Sequence, residues 1–231
     1  MKGKFTFLKM SLVGLFLMGG FTSVAQTSYD YYTCSGSTIT LNGSLDPDNN
    51  PYALYVWTVK DAADQIVGSE TIAANQSFSY PVPGPGEYTI ELQVQDAASC
   101  LSDTGTTSLY VLPPFTVDVS SDMAAYCENV TGSTLTAEAI PAQALPAGVS
   151  FQYNWDETDE NGSVLNANIA NTNTYLVDKT TVGSYYFVAK ATYVVTNGTL
   201  VSDDACETPS DVETIIVNPV PTTPSITITA N

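Results

Sequence analysis

The 231-residue chain sets 24 acidic residues against six lysines and contains neither arginine nor histidine. Such a surface repels phosphate backbones and anionic lipid, so neither nucleic acid nor direct membrane binding is expected. The missing histidines also exclude histidine-dependent catalytic triads and the usual zinc sites.

In chain order, the first segment is MKGKFTFLKMSLVGLFLMGGFTSVAQ. Lys2, Lys4 and Lys9 precede an apolar run that ends in Ser23-Val24-Ala25. This is the layout of a secretory signal peptide over 1–25, with cleavage expected after Ala25. The run from Met10 to Phe21 is shorter than the roughly 20 residues a bilayer span requires. Export would remove half of the lysines and none of the acids. About 205 residues would remain, enough for two modest domains.

The remainder is rich in Thr, Val, Ser, Asn and Tyr, which is strand and turn chemistry. Its runs alternate with period two, as in Tyr88, Ile90, Leu92 and Val94, and again in Phe151, Tyr153 and Trp155. Proline and glycine clusters such as PVPGPGE, VLPPF and NPVPTTP divide these runs. A single helical turn is conceivable at Asp61 to Ile66.

The pattern occurs twice. Cys34 with SGSTITLNGS matches Cys127 with ENVTGSTLTAEA, and Leu54-Tyr55-Val56-Trp57 matches Gln152-Tyr153-Asn154-Trp155. PGEYTIELQVQD matches VGSYYFVAKATY, Cys100 is followed by Cys206, and TSLYVLPP matches ETIIVNPV. The fold class is therefore all-β, two tandem immunoglobulin-like antiparallel sandwiches over 27–113 and 114–219. Consecutive prolines at Pro113-Pro114 and around Pro219 to Pro221 mark stiff, extended boundaries. Residues 220–231 continue into Ser225-Ile226-Thr227-Ile228-Thr229. That pentapeptide alternates like an opening strand of a third module, and residues 222–231, lacking a sheet, are expected to be disordered.

Four cysteines in an exported chain read as two disulfides, for which three connectivities exist in principle. Each repeat has one cysteine before its first long strand and one after its Gly-x-Tyr strand. If both lie at one pole, the natural pairing is Cys34 with Cys100 and Cys127 with Cys206.

Gly43, Ser44, Asp46-Pro47-Asp48, Tyr55, Trp57 and the run Gly86 through Asp96 resemble the PKD-type immunoglobulin-like module of bacterial surface proteins. The first repeat carries the likeness well and the second more loosely. Thr58-Val59-Lys60-Asp61 stands where the family has an acidic, glycine-containing turn. Cys-Ser-Gly-Ser, Asp-Ala-Ala-Ser-Cys and the Val-Ala-Gln leader end resemble adhesin-like surface proteins of Gram-negative gliding bacteria. That resemblance implies a secreted or cell-surface protein that attaches or spaces, with other modules of the same array, a glycan or a protein as partners.

Chemistry is sparse. Asp46, Asp48 and Asn50, with backbone carbonyls, make the one candidate calcium set. Lys60 would compete for those carboxylates, so a plain strand-connecting turn is the leading reading. Asp156, Glu157, Asp159 and Glu160 form a carboxylate cluster that reads as a solvated hairpin turning at Asn161-Gly162 and not as a hydrolytic pair. Tyr29, Tyr31, Tyr32 and Tyr52 could assemble a carbohydrate platform, although tyrosines also half-bury at sheet edges. The expectation is a non-catalytic adhesin or stalk; the alternatives are a carbohydrate-binding accessory module of an exported hydrolase and a surface filament subunit.

Overall fold

A computed structural model describes residues 28–73, 76–130, 132–201 and 206–227. The leader lies outside the described residues. There is no α-helix among the described residues, and strands account for most of them. The first seven are β1 (Tyr31–Cys34), β2 (Thr38–Asn42), β3 (Leu54–Asp61), β4 (Ile66–Ala73), β5 (Ser77–Pro81), β6 (Gly86–Gln95) and β7 (Gly105–Leu112). Then follow β8 (Phe115–Ser121), β9 (Ala125–Cys127), β10 (Ser133–Pro141), β11 (Val149–Thr158), β12 (Val164–Ala170), β13 (Thr174–Val177) and β14 (Gly183–Val195). The last are β15 (Thr199–Leu200), β16 (Glu207–Pro209) and β17 (Glu213–Asn218).

Pairing makes the sequence repeat a topological one. β1 runs parallel to β7 as β9 does to β17. β2 pairs β5 as β10 pairs β13. β3 lies between β4 and β6 as β11 lies between β12 and β14. The result is two immunoglobulin-like sandwiches in tandem. Alternation explains the layers: Tyr55, Trp57 and Val59 of β3 point inward between half-exposed neighbours, as does every second residue of Ser133, Leu135 and Ala137 on β10. Trp57 and Trp155 lie in the two cores.

The sandwiches are not separated by a free linker. β15, which lies beyond β14 in the second sandwich, pairs parallel with β1 and becomes the sixth strand of the first sandwich's large sheet. Tyr29, Tyr32, Cys34 and Leu112 pack into the same core as Phe115, Trp155 and Tyr193. Pro113 is buried, and only two residues separate β7 from β8.

Four turns share one construction. In residues 46–50, 61–65, 96–100 and 159–163, an aspartate Oδ1 accepts the backbone N–H groups two and four residues on, at 2.7–3.0 Å. The fourth residue adopts positive φ in each: Asn49 65°, Asp64 59°, Ser99 65° and Gly162 82°. This is a type I turn followed by a left-handed residue, which at 61–65, 96–100 and 159–163 makes the three-residue hairpin connection and at 46–50 stands between β2 and β3, which do not pair. It replaces the helical turn conceived at Asp61 to Ile66, because Asp64 is left-handed and Asp61 N–H donates to Gln65 O, which reverses the chain directly into β4.

After Asn218 the described residues 219–227 form no strand, and Ile226 is 90% exposed. The remainder of the tail, including Ile228 and Thr229, lies outside the described residues.

Candidate functional site: the junction between the sandwiches

The junction is built from three strand ends. Cys34 closes β1 opposite Leu112, and it is disulfide-bonded to Cys206, with Cα atoms 5.4 Å apart. This overturns the pairing of Cys34 with Cys100 and of Cys127 with Cys206; Cys100 is an exposed free thiol and Cys127 a half-buried one. Strand direction is the reason. β6 is antiparallel to β7, so Gly86 meets Val111 near the junction while Leu92 meets Gly105 toward the far end, and Cys100 lies beyond that end. Eight residues of β7 separate the poles by about 25 Å, whereas a disulfide needs Cα atoms within about 7 Å. In the second sandwich Cys127 lies opposite Asn218 at the outer pole, and Cys206 precedes β16, which pairs the junction-side half of β14.

Around the disulfide, Thr199 N–H donates to Asp30 O at 2.9 Å and Val201 N–H to Tyr32 O at 2.7 Å. Asp30 in turn accepts from Ser108 N–H at 2.9 Å, Ser108 Oγ at 2.8 Å and Thr107 Oγ1 at 3.1 Å, and these bonds, the Ser108 N–H first, hold its carboxyl below the usual range. Gly198 makes the approach of β15 feasible. At φ +109° it faces the Tyr29 carbonyl, and a Cβ there would also stand 2.8 Å from the Tyr32 ring.

Three tyrosines fill the space. Tyr29 and Tyr32 meet edge to face at 5.7 Å, and Tyr110 lies 5.0 Å from Tyr29. Burial, then a hydrogen bond to Glu87, pushes the Tyr29 phenol well above its ordinary value. Tyr193 donates to Pro113 O at 2.8 Å and is pushed up to about 12 by burial. The tyrosine platform is thus not assembled: Tyr29 and Tyr32 are buried core residues, Tyr52 is half-buried against Tyr55, and Tyr31 alone of the four is exposed, at 42%.

The candidate calcium residues form one of the four aspartate turns. Asp46 Oδ1 is taken by the N–H groups of Asp48 and Asn50, and the Asn50 amide nitrogen faces Asp48 O at 3.4 Å. The turns at Asp61 and Asp96 have the same geometry without that ligand set, so the fold at Asp46 needs no ion. Among the described residues no group of three or more Cys, Asp or Glu side chains is placed to hold a metal. Lys60 does not compete for Asp46 or Asp48; it pairs with Glu91 at 2.7 Å and Asp64 at 3.4 Å, across β3 and its own turn.

The acidic cluster is divided. Asp159 organises an exposed turn, but Asp156 is only 1% exposed. Its Oδ2 meets Lys190 Nζ at 2.8 Å, and its Oδ1 accepts Asn168 N–H at 2.8 Å where β12 has a register shift. Burial opposes ionisation, yet Lys190 and the Asn168 N–H outweigh it and hold the carboxyl below its ordinary value. Glu157 pairs with Lys179 at 2.8 Å, its carboxyl likewise lowered against burial. The reading of a wholly solvated hairpin is corrected accordingly. All three lysines beyond the leader are bound in ion pairs, a cross-strand matching that spacing along one strand does not reveal.

No protein-family model matches the chain, and no curated protein matches it. Solved structures do. The fibronectin(III)-like modules of Clostridium thermocellum CbhA align at 14% identity and TM-score 0.44, over 84% of this chain and 93% of that one. The amphioxus IgVJ-C2 molecule aligns at 13% and 0.30 over 80% and 98%. The BSP domain of a biofilm-associated protein aligns at 16% and 0.27 over 84% of this chain and 29% of that one. The tandem-sandwich architecture stands on the strand pairing itself.

Proposed function

We propose that the chain is a non-catalytic extracellular spacer or adhesin segment of PKD-like modules, displayed on the surface of a Gram-negative bacterium. The observation that carries this reading is the junction. A disulfide, a crossing strand and a shared core make two modules one stiff unit, which suits holding something at a distance. A disulfide between residues 172 apart in sequence also belongs to an oxidising compartment, in keeping with the leader. The carboxylates that looked most like chemistry are engaged in ion pairs and turns. With every lysine of the mature chain paired, no free basic patch is left to attract polyanions.

The reading is tested on producing cells. Antibody should label intact, unpermeabilised cells, beads coated with the protein should adhere to a surface or partner cell, and recovered protein should have Cys34 oxidised. Protein confined inside the cell with Cys34 reduced would refute it.

A further inference from the structure

The two sandwiches differ in their smaller sheets. In the second, β10 is flanked on both sides, by β13 and by β8, and Phe115 and Val117 of β8 are buried while Val119 packs on the core. In the first, β2 pairs β5 alone among the described residues. Beside that open edge lies a largely apolar cavity of about 370 Å³, lined by Ile39, Leu41, Trp57, Ile90, Leu109 and Val201. The Trp57 indole N–H is buried without a hydrogen-bond partner, whereas Trp155 Nε1 donates to Thr172 O at 2.8 Å.

We infer that this groove accepts the C-terminal segment 222–231 of a second copy of the chain, added as a strand along β2, so that copies join head to tail. The segment matches β8 in kind. It follows a proline-rich stretch as β8 follows Pro113-Pro114, and Ile226 and Ile228 repeat the two-residue spacing of Val117 and Val119. Ile226, at 90% exposure, packs against little among the described residues of its own chain. An open strand edge beside an apolar groove is the setting in which an extended segment adds by main-chain hydrogen bonds with side chains in pockets.

The donor must be another molecule. The tail leaves from Asn218 at the outer pole, opposite Cys127. The 13 residues of β14, from Gly183 opposite Val217 to Val195 at the junction, span about 40 Å. Residues 219–225 reach at most about 25 Å. This inference goes beyond the spacer reading, which stands or falls separately on surface display.

The test is multi-angle light scattering on the mature chain, residues 26–231, over a concentration series, beside the chain ending at Pro221 and the Ile226→Asp variant. The mature chain should show apparent mass rising about twofold or more with concentration, and both variants should stay monomeric. A synthetic peptide of residues 222–231 should dissolve the oligomers and change the emission of Trp57 saturably in the shortened chain. Monomers throughout with no peptide-induced change, or oligomers that survive both variants, would overturn the inference. So would peptide binding that appears only after trimming the chain to start at Ser28, which would assign the groove to the chain's own beginning.

Discussion

Cys34 and Cys206 belong to different sandwiches and are bonded across the junction, while their repeat counterparts Cys127 and Cys100 stand as thiols at the two outer poles. Closing a loop of this length corresponds to about 5 kcal/mol in the chain-entropy account. Non-reducing peptide mapping should find one cross-link, Cys34 with Cys206, and two alkylatable thiols, with Cys100 reacting faster than Cys127. The double variant C34S/C206S should lower stability by several kcal/mol and act chiefly on the junction. A Cys34–Cys100 peptide would show that the strand polarity is misassigned.

Lys190→Ala leaves the buried Asp156 carboxylate without its counter-ion. The expected cost is about 2 kcal/mol at neutral pH, less than for a fully buried pair because the ammonium is partly exposed. The Asp156 pKa is depressed in the folded state, so the pair's contribution is present above the unfolded pKa and lost as pH falls through the folded one. Denaturant titrations of both proteins should therefore converge in acid, and a gap independent of pH would contradict the assignment.

Gly198→Ala introduces a Cβ against the Tyr29 carbonyl and the Tyr32 ring at a positive φ. It should destabilise by at least about 2 kcal/mol and expose the amides of Thr199 and Val201 to hydrogen exchange. Unchanged protection there would mean that β15 does not hold β1.

Asp46→Ala and Asp96→Ala each remove a turn acceptor shared by two N–H groups. Both should cost about 1 kcal/mol, with or without calcium. A calorimetric calcium signal that Asp48→Ala abolishes would instead give the Asp46 turn a ligand role.

The strands and their duplication are legible because period-two alternation and the two Tyr-x-Trp runs record burial directly, residue by residue. The aspartate turns are half legible: Asn161-Gly162 announces a turn, but Asp61-Ala62-Ala63-Asp64 does so only once Asp64 is seen in the left-handed region. The junction is not legible. Whether Cys34 meets Cys100 or Cys206 depends on which pole each strand ends at, and strand sense follows from pairing rather than from local pattern. Tyr29 and Tyr32 look like surface aromatics because their cover, β15 and Tyr110, comes from distant sequence. Asp156 looks solvated beside Glu157 and Asp159 because its lysine arrives from the neighbouring strand β14.

The two free thiols at opposite poles offer the most direct test that the sandwiches form one stiff body. Spin labels on Cys100 and Cys127 should give a single narrow distance distribution by double electron–electron resonance, centred on the order of 60 Å from the strand lengths between them. Reduction of Cys34–Cys206 should leave the centre in place, since β15 and the shared core remain, and broaden it modestly. A broad distribution in the oxidised protein, extending to much shorter distances, would show the sandwiches moving independently and would contradict the account.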